Sequence, residues 1–506
     1  MSGDTGASRT AEARTESAAN ASTSGESVRR IARTRGVSFR DRVRENPRPA
    51  AIWAGVAALL LALEAGGLFH FAATLLVDAV AAVPRVGVPA ALPDLAASTA
   101  EIPTLLSRET VPNQGHWTGR RYVGTFLGLA PHEAWTLRVT LVYAYAFGLA
   151  GWVWVGYRWY RRHYRLADWT PRDDVVDRLR GHTWGLFGLV VVFTFVVMAV
   201  FAPALGPTTV EQNLANPYGH TIEYWDGSSV VETTVGTANS GSQSVGSPSE
   251  NVGPWRYDDF GRFHPFGTLP GGKDLFTFIA HGARISLVIG LLSVGLSAGI
   301  ALVLALVSAY YKGMVDLGAV LLSDSVMGMP QLLLLIMLTV VLAGTWIGKL
   351  YSGAFVLALI FAGTGWPYLW RSLRGPALQV SERAWVDAAR SFGQKPRTIM
   401  RKHMLPYVVG YLLIYGSMTL GGAIIAIAGL SFLGLGVDPP TPEWGRAVND
   451  GQDYVTTASW HISFVPGVLI TLVVTGFNAL GDGIRDAIDP QSDSAAGEAA
   501  GRGGGA

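Results

Sequence analysis

Cysteine is absent from all 506 residues of the chain, which excludes disulfides, thiol nucleophiles and cysteine-ligated metals. Charge is sparse as well. Only 15% of residues are Asp, Glu, Lys or Arg, where ordinary soluble domains carry about 25%. The 39 basic and 37 acidic residues nearly cancel, to +2, so net charge singles out no class of partner. No long apolar run occurs before Ala51, which is too late for a secretory leader. What the chain has instead is hydrophobicity, 49% of its residues, together with 61 glycines. That balance belongs to a polytopic membrane protein, in which small residues let helix backbones approach each other in lipid. The expected fold is all-α, a membrane helix bundle.

Runs long enough for a bilayer, ~20 residues, recur near 51–77, 134–157, 184–202, 282–309, 317–343, 353–371, 407–433 and 463–481. The first is the weakest of these eight expected spans because it holds Glu64 and His70. A charge at mid-bilayer costs ~2.5–3.5 kcal/mol, so Glu64 reads as a protonated or helix-paired carboxyl, or as a translocation residue. Basic residues crowd three segments: Arg29 to Arg48, Arg158 to Arg180, and 371–405. Eight spans put all three on one side, which the positive-inside rule makes cytoplasmic, with both termini inside. The opposite loops lean acidic, as in Glu211, Glu223, Asp226, Glu232, Glu250, Asp258 and Asp259. Residues 1–48, rich in Ser, Thr, Ala and Gly without apolar periodicity, are expected to be a disordered tail, as are 491–506. The outer loop 203–275 is Gly/Ser/Asn/Pro-rich, and its centre, Gly236 to Gly253, is expected to be flexible.

The stretch from Ser381 to Pro406 carries the clearest local design. Ser381 reads as an N-cap with Glu382 at the positive helix end. Trp385, Ala388, Ala389 and Phe392 recur at helical spacing. Gly393 suits a left-handed helix end, and Pro396 the first turn of the next helix. Ile399, Met400, His403 and Met404 form a second stripe that Pro406 is expected to stop. Two short helices on a tight turn make an exposed knob whose apolar face fits a groove on a partner protein.

Asp387-Ala388-Ala389, Gly393 and His403-Met404-Leu405-Pro406 resemble the E-A-A-x3-G-x9-I-x-L-P loop of permease subunits of binding-protein-dependent ABC importers. Asp387 stands for Glu there, and His403 for Ile. His264-Pro265-Phe266-Gly267-Thr268 with Gly272-Lys273-Asp274 is similar to the HPFGTDxxGRD segment of dipeptide and oligopeptide permeases, with Leu269 and Lys273 as departures. Further matches follow in family order. They are Gly282-Ala283-Arg284, Asp324 with Pro330, Leu430 to Gly436 with Pro439-Pro440 and Trp444-Gly445, and Leu480 to Asp486 with Asp489-Pro490. The resemblance covers about 264–490 and is closest to the second permease of the dipeptide/oligopeptide/nickel group.

It implies a six-helix core over 181–490, with the outer loop 203–275 and a cytoplasmic coupling loop 373–406. Residues 49–180, with two spans, would be an added extension without counterpart. Trp385, Asp387, Ala388, Ala389, Gly393, His403, Leu405 and Pro406 would then form the loop that docks on an ATPase. The partners implied are a second permease, two ATP-binding subunits, an extracytoplasmic substrate-binding protein and the bilayer, with no nucleic acid, cofactor, metal or catalytic residue. Substrate contacts are not readable, and peptides, nickel and sugars all remain as cargo. Gly267-x4-Gly272-Lys273 imitates a phosphate loop, but Asp274 stands where Ser or Thr must ligate magnesium. Gly295-x3-Gly299 permits close helix crossing, inside the subunit or with the sister permease. The rival class is an ion-gradient-driven secondary transporter, for which Glu64, His70 and Asp324 are present but no inverted repeat is evident.

Overall fold

The computed structural model describes residues 38–81, 89, 91–100, 102, 104–165, 170–242 and 251–488. Long apolar runs with few breakers become helices because lipid leaves no other partner for backbone polar groups. Among the described residues six helical stretches are long and apolar enough to cross a membrane. They are Pro131–Tyr164, Thr183–Val200, Leu275–Tyr311, Leu350–Ser381, Pro396–Phe432 and His461–Ile488. Two bent pairs also pass, Phe39–Glu45 with Pro47–Leu63 at 98° and Gly313–Met327 with Gln331–Ala343 at 80°. The all-α membrane bundle is thus what the chain forms.

Among the described residues the first helices are α1 (Phe39–Glu45), α2 (Pro47–Leu63) and α3 (Ala65–Ala81). The expected disordered tail is therefore corrected at its end: Ser38 and Asp41 form a reciprocal capping box that starts α1. Residues 1–37 and 489–506, which hold the rest of both expected tails, lie outside the described residues. The single span expected at 51–77 is also corrected, because α2 and α3 part at Glu64. Glu64 is buried and accepts the Leu106 backbone N–H at 3.0 Å. Of the readings offered for Glu64, the helix-paired carboxyl is corrected, because its partner is a loop amide.

Helix α4 (Pro131–Trp159) carries the extension onto the core. Trp53 of α2 stacks on Trp152 of α4 at 4.1 Å between ring centroids. Each indole N–H donates to the other residue's carbonyl, at 3.2 and 3.1 Å. Arg138, inside α4 and 1% exposed, donates to the carbonyls of Val111 at 3.0 Å and Gly206 at 2.9 Å. A buried charge of that kind persists only with such partners.

The core consists of α5 (Thr183–Val200), α6 (Leu275–Tyr311), α7 (Gly313–Met327), α8 (Gln331–Ala343), α9 (Ala354–Ser381), α10 (Ala384–Ser391), α11 (Leu405–Phe432), α12 (Trp444–Asp450) and α13 (His461–Ile488). The span expected at 317–343 is broken between α7 and α8, where Pro330 lacks an N–H and disfavours helix at Met329. Its α7 half is tied to α9 by ion pairs, Arg374 with Asp316 at 2.7 Å and Arg371 with Asp324. Gly295 and Gly299 have open space around them, so they do not supply a crossing within the subunit. The close crossing lies elsewhere: α5 meets α13 where a Cβ on Gly185 would lie 2.9 Å from Gly483 Cα, and one on Gly188 2.6 Å from the Gly476 carbonyl.

The outer loop is more ordered than expected. Val235–Gly241 is a short helix with Gly236 and Ala238 buried. Asn251 is buried too, its N–H donating to Ser459 Oγ at 2.6 Å. Of the centre expected to be flexible, 243–250 lies outside the described residues. With the hairpin Thr221–Trp225/Val230–Thr234 and the extension segment before α4, this loop forms a layer over one end of the bundle.

Candidate functional site

The knob grows out of helix periodicity. In α10 Val386 and Ala389 face inward and are buried, while Trp385, Ala388 and the C-cap residue Phe392 remain on the outside. The inward pair joins Ile399, Met404, Val408, Leu373, Ala377, Ala305 and Ala309 in one apolar cluster. The knob is therefore seated in the core between the ends of α6, α9 and α11. Ala389, expected on the partner-facing stripe, belongs to the anchoring side instead. Val386, three residues before it, shares that inward side, as the 3.6-residue period requires.

The ends also differ from expectation. Ser381 is the last residue of α9, with its hydroxyl on the Leu378 carbonyl at 2.8 Å. Arg383 is the N-cap of α10 and makes no side-chain capping bond. Gly393 has φ +70°, and the N–H of Gln394 returns to the Ala389 carbonyl at 3.2 Å. This is the left-handed termination expected of it. Pro396 opens the next turn as expected. Pro406 stops nothing: it lies in the first turn of α11, where its missing N–H is no loss.

The remaining site residues are brought together around this turn. Trp385 stacks on Tyr407 at 5.4 Å and 28°. Arg390 reaches Asp387 at 3.3 Å while its guanidinium lies 4.7 Å over the Tyr310 ring. His403 Nε2 meets Gln394 Oε1 at 3.1 Å, tying the second short helix to the turn. Leu405 is half-buried behind it.

At the opposite end, the His264 to Asp274 segment is the seat of α6. Asp274 accepts the Thr277 N–H at 2.7 Å as the N-cap. Buried His264 lies between Asp274 Oδ2 at 2.9 Å and Asp258 Oδ2 at 3.3 Å, and Arg262 adds to Asp258 at 2.7 Å. Burial opposes the His264 charge, but the two carboxylates beside it prevail and raise its pKa. Burial likewise opposes the Asp258 charge, and His264 and Arg262 outweigh it, holding that carboxyl well below its usual range. Trp444 is fully buried and donates to the Ile279 carbonyl at 2.7 Å. Glu443 beside it caps α12 and is pushed up by burial.

The pH consequence has two limbs. Stability from Asp258 is complete above the ordinary carboxyl value and is lost as pH falls through its depressed pKa. Stability from His264 is complete below about pH 6.5 and is lost as pH rises through its raised pKa. Hydrogen-exchange protection of residues 251–274, corrected for the intrinsic rate, should therefore decline on the alkaline side. His264→Gln should flatten that decline.

Two family models match parts of the chain. Residues 300–493 match the model of the binding-protein-dependent transport system inner membrane component. Residues 170–218 match the N-terminal transmembrane domain of oligopeptide transport permease C. The dipeptide transport system permease protein DppC of Alkalihalophilus pseudofirmus is 30% identical over 327 residues, 64% of this chain and 91% of that one. Its counterpart in Bacillus subtilis is 31% identical over 320 residues, 63% and 85% of the two chains. The glutathione transport system permease protein GsiD of Escherichia coli is 36% identical over 228 residues, 45% and 72%. Among solved structures, an inward-facing MetNI methionine ABC transporter chain is similar at TM-score 0.34 and 19% identity, covering 42% of this chain and 96% of that one.

Proposed function

We propose, from the premise that this chain belongs to the inner membrane components of binding-protein-dependent transport systems, that it forms half of a translocation pathway for short peptides. A sister permease would supply the other half, two separate subunits the ATPase activity, and an extracytoplasmic binding protein the cargo. The support for peptides is the kind of relative it matches, dipeptide and glutathione permeases. An ion-gradient-driven mechanism has no comparable support.

The observation that carries the coupling assignment is the outward face of α10. Phe392 is 85% exposed and Trp385 41% exposed, on a knob whose other face is fixed in the core. In this reading ATP binding closes the ATPase pair, the knob moves with it, and α6, α9 and α11 turn as packed bodies to reverse the cavity. The basic residues of 371–405 support a cytoplasmic position for the knob, and in this reading both termini share that side. The 49–180 extension, on this division of the chain, is an accessory unit on the 181–490 core.

Purification of the tagged chain from its native membrane should bring down an ATPase and a second permease. In proteoliposomes the assembly should take up peptide with ATP inside and none with an ion gradient alone. Uptake driven by the gradient without ATP would refute the proposal. Phe392→Ala should change the chain's own stability by less than about 0.5 kcal/mol, since it touches solvent. It should weaken ATPase association by about 2 kcal/mol, roughly thirtyfold, as loss of an aromatic anchor does. Unchanged association in a binding titration would remove Phe392 from the docking face.

A further inference from the structure

Helix α1 stands at 98° to α2. Three contacts run α2 antiparallel along the membrane-crossing α4: Ala50 to Tyr164, Trp53 to Trp152, and the Tyr145 hydroxyl to the Leu60 carbonyl. A short helix set square to a pair that follows the bilayer normal lies along the membrane surface. Its seat is firm. Arg42 donates to the Tyr164 carbonyl. The Tyr164 hydroxyl donates to the Asn46 carbonyl at 2.7 Å and accepts the Ala50 N–H at 3.0 Å. Phe39 packs on Tyr160 and Tyr164, with ring centroids 6.0 and 5.9 Å apart.

The charges left over are arranged on that seat. Arg40 and Arg44 stand at i and i+4 on α1, on one side of the helix. Arg158 and Arg162 repeat the spacing where α4 ends. All four are exposed, and among the described residues none of them makes an ion pair or a hydrogen bond. Neighbouring arginines differ, since Arg161 and Arg165 are committed to Asp173. Of the two acids on α1, Asp41 is engaged with Ser38, which leaves Glu45 against the arginines.

Aromatic rings mark the depth of this end. Tyr160, Trp154 and, at the start of α5, Trp184 are exposed, and the Arg180 guanidinium lies 5.0 Å over the Trp154 ring. Exposed Trp and Tyr settle at the headgroup level of a bilayer, where the anions are lipid phosphates. A guanidinium fork meets phosphate oxygens two at a time. Sidedness alone would be served by arginines on a loose tail. Two pairs on elements locked together at the phosphate level suit a charged lipid surface.

We infer that α1 and the adjoining end of α4 bind the headgroups of anionic phospholipids, with Arg40, Arg44, Arg158 and Arg162 supplying the counter-charge. The contact pins the extension to the leaflet at this end of α4. It rests on the membrane spans and stands apart from the importer reading.

The test titrates the full chain, purified in an uncharged detergent, with phosphatidylglycerol and with phosphatidylcholine, and reads binding by thermophoresis. Phosphatidylglycerol should bind at least tenfold more tightly, by a margin that shrinks as salt is added. Each arginine near an anionic surface contributes about fivefold. The double variant Arg40→Gln/Arg44→Gln should therefore weaken phosphatidylglycerol binding at least tenfold, and Arg158→Gln/Arg162→Gln should do the same. Arg397→Gln/Arg401→Gln removes equal charge at equal spacing from exposed positions of the knob and should leave binding unchanged. Inorganic phosphate at matched concentration should not displace the lipid. Equal binding of the two lipids, an equal loss in the knob variant, full binding by both platform variants, or displacement by phosphate would each overturn the assignment.

Discussion

Replacing Gly393 with tryptophan is expected to lower ATP-driven uptake at least tenfold while leaving membrane insertion and helix content intact. The residue holds φ +70° at the junction of the two short helices. A left-handed conformation costs a residue with a Cβ about 1–2 kcal/mol. Space is not the difficulty, for nothing lies within 4 Å of a Cβ built there. The cost falls on backbone geometry, and any larger side chain would also project from the turn into whatever docks on it. Gly393→Ala separates the two effects. It carries the backbone cost without the bulk, and should retain more uptake than the tryptophan variant. Reconstituted proteoliposomes with matched protein content provide the measurement. Normal uptake by the tryptophan variant would remove the turn from the coupling path.

Gly272→Ala should have the largest effect on stability, about 3 kcal/mol, in the range that a clash added to backbone strain produces. Its φ is +68°, and a Cβ there would lie 1.8 Å from the Asn239 carbonyl oxygen. Asn239 cannot easily yield, because its Oδ1 receives Arg262 at 2.7 Å and the residue is buried in the outer layer. Gly227, with φ +101° and open space around it, is the internal control: alanine there should cost only the backbone strain, about 1–2 kcal/mol. Thermal unfolding of the two variants in the same detergent compares them directly. Similar losses in both would mean that the Asn239 contact gives way cheaply.

Spans and the knob were legible in the sequence because both announce themselves locally. Hydropathy marked each of the six long helices, and the 3.6-residue period with Gly393 and Pro396 marked the two short ones. What could not be read was set by tertiary partners. Glu64 gave no hint that a loop amide, that of Leu106, would meet it and part α2 from α3. Nothing near Trp444 in the sequence tells that Gly282, far from it along the chain, opens a slot into which the indole fits. The outer loop read as low complexity because its order comes from side chains far apart in sequence, Asn251 with Ser459 among them. Ala389 was assigned to the wrong face because composition alone does not say which side of a short amphipathic helix the rest of the protein occupies.

The glycine contacts between Thr183–Val200 and His461–Ile488 bring the first and last helices of the core side by side at backbone distance. The bundle is thereby closed into a ring before anything upstream of it is considered. New sequence can be grafted ahead of residue 170 without breaking any strand of that ring. A lineage is free to lengthen the protein at this seam and to acquire surfaces that its shorter cousins lack.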